Sequence, residues 1–148
     1  MEYCKGKITK LLVDHFGNDF RRITHALEVL KFAEKVMEGS EGCDPEVLIA
    51  CALLHDAGIK PSEAALGYNN GRIQEEYGPP VVRELLESIG FPAEKTDKVC
   101  EIVGNHHSPS RYDYIELMIL KEADRIVNRL EEEQSSPGSR APWMRVGA

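Results

Sequence analysis

The stretch VLIACALLHDAG, Val47 to Gly58, decides the fold. From Val47 to Leu54 only Cys51 breaks the aliphatic run, and a thiol packs as a small apolar group. Asp44-Pro45 stands just ahead of it, an N-cap residue followed by proline at the first helical position. The spacing predicts a helix from Val47 to about Asp56. A helix apolar nearly all round must be covered on every side, so this one is the central element. It is far short of the roughly 20 residues that span a membrane. Gly58 and Pro61 end it.

Working outward, apolar residues recur at intervals of three and four, the helical period. A first helix is expected from Gly6 to His15, then a turn at Gly17-Asn18-Asp19. A second runs from Phe20 to Met37 and stops at Gly39. Ser62 to Gly78 mixes helix formers with Gly67, Asn69, Asn70 and Gly71. It reads as a short helix and a loop carrying Arg72 that covers a site as a lid. Helices follow at Val81–Ile89 (opened by Pro79-Pro80), Ala93–Asn105 and Tyr112–Glu132. No strand pattern and no internal repeat stands out. The expected fold is all-α, a compact bundle of about six to seven helices around the central apolar one. Residues 1–133 form one domain. Residues 134–148 have turn composition and form a mobile tail, with Trp143 as an anchor.

The chain has 148 residues, 29% of them charged, with a net charge of −7. That excess of acid disfavours a nucleic-acid polymer, whose phosphates need clustered Lys and Arg. A small phosphorylated substrate needs only a few local cations. The N-terminus has no signal-like apolar segment and the four cysteines have no metal-type spacing, so a reducing, cytoplasmic setting without disulfides is expected. No membrane partner is expected, and a homo-oligomer is allowed.

Function rests on polar groups placed on apolar faces, where an unpaired charge costs several kcal/mol. His25 lies in line with Val29, Phe32 and Val36. His55-Asp56 closes the central helix, whose C-terminal end favours a cation. Asp124 shares a stripe with Leu117, Leu120 and Val127. Each alone has a plainer account: a hydrogen-bonded core histidine, a helix cap, a salt bridge. Together, two imidazoles and two carboxylates offer nitrogen and oxygen ligands to one divalent metal ion while leaving room for water.

The ordered set THALEVLKFAEKV around His25, ALLHDAGIK around His55-Asp56 and LKEADRI around Asp124 resembles the HD-domain superfamily of metal-dependent phosphohydrolases. The resemblance spans Arg22 to Leu130. It implies His25, His55, Asp56 and Asp124 as ligands of a metal that could be Mn, Fe, Co, Ni, Zn or Mg. It implies hydrolysis of a phosphomonoester or phosphodiester, of a nucleotide or related metabolite, by metal-activated water, which Asp56 or Asp124 would orient while ligating. The alternative is an inactive module that keeps metal and nucleotide without cleavage. Two-metal relatives use further histidines after the His-Asp pair. Here none occurs between Asp56 and Asn105, which favours one metal. His106 is then expected to face the phosphate as proton or hydrogen-bond donor, with His107 beside the substrate. Arg22, one turn before His25, and Lys60 are the expected phosphate-binding cations.

Overall fold

A computed structural model describes residues 2–135. Among them the chain forms seven helices and no strand: α1 Glu2–Phe16, α2 Phe20–Glu38, α3 Pro45–Leu54, α4 Ile59–Leu66, α5 Gly71–Ser88, α6 Ala93–Val103 and α7 Ile115–Ser135. The expected all-α bundle is present. Its centre is α3, in which every residue from Val47 to Leu54 is buried. Helices α1, α2, α6 and α7 all pack against it. Asp44 caps it as anticipated, its carboxylate accepting from the amides of Glu46 and Val47.

The expected boundaries shift where side chains redirect the backbone. Helix α1 begins at Glu2 rather than Gly6. α3 ends at Leu54, so His55 and Asp56 lie in the turn beyond it. Pro61 does not terminate anything. It sits in the first turn of α4, where a missing N–H costs no helical bond. The anticipated lid is no loop either: residues 62–78 hold most of α4 and the first half of α5, and Arg72 pairs outward with Glu76. Nor does Pro79-Pro80 start a helix. α5 runs on through both prolines, giving up the helical hydrogen bonds that their missing N–H groups would make.

Helix α6 stops at Val103, since the Asn105 side chain organises the following loop instead, bonding the carbonyl of Pro109 and the amide of Arg111. Helix α7 waits until Ile115, because Tyr112 and Tyr114 stack face to face at 5.3 Å. Residues two apart cannot meet in that way on a helix. Gln134 and Ser135 belong to α7, not to a tail. The rest of the expected tail, with Trp143, lies outside the described residues. No described helix is long and apolar enough to cross a membrane.

One close approach positions the site. A Cβ on Gly58 would fall 2.5 Å from the backbone nitrogen of Gly78, so the turn after Asp56 and the middle of α5 touch backbone to backbone.

Candidate metal centre

Two histidines reach the centre by the same local device. The last carbonyls of a helix have no helical partner. At the end of α3, His55 Nδ1 donates to the Ala52 carbonyl at 2.8 Å. At the end of α6, His106 Nδ1 donates to the Val103 carbonyl at 2.6 Å. Each ring caps the helix three residues back, and each thereby turns Nε2 inward. Both Nε2 atoms are buried and neither has a hydrogen-bond partner among the described residues. For His55 the capping account and the ligand account are thus one arrangement.

Carboxylates face these nitrogens. His55 Nε2 lies 3.4 Å from Asp56 Oδ2 and 3.4 Å from Asp124 Oδ1. His25 Nε2, from α2, lies 3.0 Å from the same Asp124 oxygen and 3.6 Å from Asp56 Oδ2. The structure therefore brings together all four expected ligands, from α2, α7 and the turn after α3. Two donor sets emerge, His25–His55–Asp56 and Asp56–His106–His107, with Asp56 common to both. The other oxygen of Asp56, Oδ1, faces His106 Nε2 at 4.0 Å.

Lone pairs and carboxylates converging out of solvent need a cation, and the electrostatics of the cluster show the demand. Burial opposes charge on His55, yet Asp56 and Asp124 overcome it and push the imidazole up to about 9. His25 rises too: burial works against its proton, and Asp124 and Asp56 hold it. Asp124 is buried against its charge, but His25 and His55 keep its carboxyl far below the usual carboxylate range. The carboxylates that favour these protons would equally favour a metal ion among the same donors. The C-terminal ends of α3 and α6, which carry partial negative charge, point the same way. The donor set fits a divalent cation.

His106 departs from its expected role. Burial, then the charge of His55, pushes its imidazole down to about 4. The neutral ring has its one hydrogen on Nδ1, committed to Val103. Nε2 is a lone pair, suited to accept or ligate and unsuited to give a proton. Nor is His106 a solvated loop residue; it is buried.

The expected cations separate. Arg22 lines the cavity, but its guanidinium is held by both oxygens of Glu63 at 3.0 and 3.1 Å and by Asp19 at 3.2 Å. Lys60 is elsewhere engaged, donating to the Phe16 carbonyl at 3.0 Å and tying α4 to the end of α1. The neighbour passed over in the sequence, Arg21, is exposed, lines the same cavity and has no ion pair among the described residues. It precedes His25 by four positions, so the two share a face, a signal the sequence did contain.

A cavity of about 260 Å³ opens over His25, Asp56 and Asp124, with Arg21, Gln74 and Asn128 in its wall. A more open hollow of about 550 Å³ continues past His106. The two share His107, Asp124 and Asn128. Glu131 adds a carboxylate at the rim, 2.9 Å from His25 Nδ1.

Comparison with known proteins identifies the family. The family model for the HD domain matches residues 22–129. No protein of curated function matches the sequence significantly. Among solved structures, the chain resembles a predicted HD superfamily hydrolase from an uncultured Thermotogales bacterium, with a TM-score of 0.63 and 25% identity, covering 90% of this chain and 79% of that one. The chain belongs to the HD-domain family of metal-dependent phosphohydrolases.

Proposed function

We propose that the protein hydrolyses a small phosphate ester, a phosphomonoester or phosphodiester of a nucleotide or related metabolite, at this centre. One observation carries the reading: imidazole nitrogens and carboxylates converge on the floor of an open cavity whose wall holds a guanidinium with no ion-pair partner among the described residues. His25, His55, Asp56 and Asp124 would hold a single divalent ion. Such a cation supplies Lewis-acid charge and brings the pKa of water toward about 7.

The chain's own groups do the rest. Arg21 binds the phosphoryl oxygens and offsets the charge that builds on them. The side-chain amide of Asn128 offers a further hydrogen bond. Asp56 orients the attacking water and takes its proton as the water oxygen bonds to phosphorus. The ester oxygen leaves with the bonding electron pair and is protonated from solvent. The walls around His55 and His106 keep bulk water from the inner face of the cluster.

A second reading, metal and nucleotide binding without turnover, is favoured by one feature. His106 cannot protonate a leaving alkoxide from Nε2 while its hydrogen rests on Val103. Protein reconstituted with Mn or Co is expected to release phosphate or a nucleoside monophosphate from members of a nucleotide panel. Tight nucleotide binding with no product over hours supports the second reading. Neither binding nor turnover with any first-row metal, on nucleotides or aryl phosphates, overturns both.

A further inference from the structure

A chain of side chains links Arg22 to His107 around the cavity. Arg22 donates twice to Glu63. Asn69 Nδ2 donates to Glu63 Oε2 at 2.7 Å. Gln74 Nε2 donates to Asn69 Oδ1 at 2.7 Å. Gln74 Oε1 meets His107 Nε2 at 2.6 Å.

The polarity of this chain is forced from one end. An ionised carboxylate only accepts. Asn69 must therefore turn its NH2 toward Glu63, which leaves its oxygen for Gln74. Gln74 must then present its own NH2 to Asn69, which leaves its oxygen for His107. An amide oxygen cannot donate, so His107 Nε2 carries the hydrogen. Either amide reversed on its own would set two donors or two acceptors against each other.

We propose that Asn69 and Gln74 are positioning residues that fix His107 in its Nε2–H form, with Nδ1 as the only nitrogen of the neutral ring able to ligate or accept a proton. His107 lines both hollows over the centre, so the assignment determines which of its atoms the site can use. The main-chain amide of His107 is fixed as well, donating to Glu75 at 3.0 Å. Gly71 admits the ring, since a Cβ there would lie 3.0 Å from its Cβ and Cγ. The use of His107 at the site rests on the function proposed above; its tautomer does not.

The test uses full-length, metal-free protein labelled with 15N in histidine, read by long-range nitrogen–proton correlation with His107 neutral. Wild type is expected to show the hydrogen on Nε2, protected from exchange. Asn69 makes no hydrogen bond to His107, so Asn69→Ala is the discriminating variant. It frees the Gln74 amide to rotate, and exchange at His107 Nε2 is expected to quicken roughly three- to tenfold, the worth of one hydrogen bond. Gln74→Glu keeps an acceptor and is expected to retain the Nε2–H form. A wild-type hydrogen on Nδ1, or folded Asn69→Ala protein with a wild-type His107, overturns the proposal. Should Asn69→Ala fail to fold, Gln74→Met carries the same test: the Nδ1–H form is expected to appear, and an unchanged spectrum overturns the proposal. Absence of turnover in the wild type leaves this spectrum untouched, so the two readings fail separately.

Discussion

Glu131 Oε2 lies 2.9 Å from Nδ1 of His25, while Nε2 of the same ring lies 3.0 Å from Asp124. Glu131 follows Asp124 by seven residues, two turns along one face of α7, so a single helix grips both nitrogens of the imidazole. A carboxylate on the distal nitrogen orients a metal-binding histidine and raises its basicity. Glu131→Gln is expected to weaken Mn or Zn binding about 10- to 100-fold with the fold intact. Competition with a chelating indicator measures it; an unchanged affinity removes Glu131 from the centre.

The raised imidazoles predict opposite pH trends with and without metal. His55 moves from an ordinary value near 6.5 up to about 9 in the metal-free fold. The stability it contributes is fully present below 6.5 and is lost as pH rises toward 9. Metal must displace that proton, so affinity is expected to climb with pH over the same window, about tenfold per unit for each proton released. Melting temperature against pH, with and without Mn, checks both slopes. A metal-induced increment that shrinks from pH 6.5 to 9 contradicts the proton-for-metal exchange.

His55→Ala and Asp56→Ala are each expected to abolish stoichiometric metal binding, since both carry donor atoms at the heart of the cluster. Both lie in the turn beyond α3, so far-ultraviolet circular dichroism is expected to stay close to wild type. Retained metal in both variants, by elemental analysis, would place the centre elsewhere.

Arg21 and Arg22 are adjacent but predict different phenotypes. Arg21→Ala is expected to raise KM for the phosphorylated substrate about tenfold or more, near 1.4 kcal/mol, without altering the melting temperature. Arg22→Ala breaks a paired contact between α2 and α4 and is expected to cost about 1 kcal/mol of stability, moderated by partial exposure. Steady-state kinetics and thermal melts on both variants decide; the reverse pattern restores Arg22 as the phosphate cation.

The legible parts of the molecule are those where burial and polarity conflict. Val47 to Leu54 announced a central helix, and His25, His55, Asp56 and Asp124 each put a polar atom on an apolar face. Glu63, Asn69, Gln74, Asn128 and Glu131 gave no such conflict. All but Gln74 stand on half-exposed or exposed surface, where a functional polar group looks like a solvated one; Gln74 is buried, but a lone glutamine on a helix reads as an ordinary polar residue. Lys60 was misplaced for a geometric reason: Pro61 reads as a terminator, yet in the first turn of α4 it lets the helix start at Ile59, which sends Lys60 to the Phe16 carbonyl. The proton on His106 was beyond reach because it depends on a carbonyl freed where α6 happens to end.

Gly58 offers a test of how tightly the fold holds the centre. Its φ of −77° suits any residue, so alanine there carries no backbone strain. What alanine meets is backbone: Gly78 nitrogen at 2.5 Å and Gly78 Cα at 2.9 Å. Neither can swing aside as a side chain can, so α5 and the His55-Asp56 turn must part. Gly58→Ala is expected to cost about 1–3 kcal/mol, the usual scale of overpacking. It is also expected to weaken metal binding, because Asp56 sits two residues away and is shared by both donor sets. Gly17→Ala is the control. Gly17 has φ +60° with open space around a Cβ, so alanine there costs about 1–2 kcal/mol of left-handed strain and leaves metal affinity unchanged. Comparable stability loss in both variants, with metal affinity reduced only in Gly58→Ala, is the expected signature. Equal metal affinities would mean that the Gly58–Gly78 contact supports the fold without positioning Asp56.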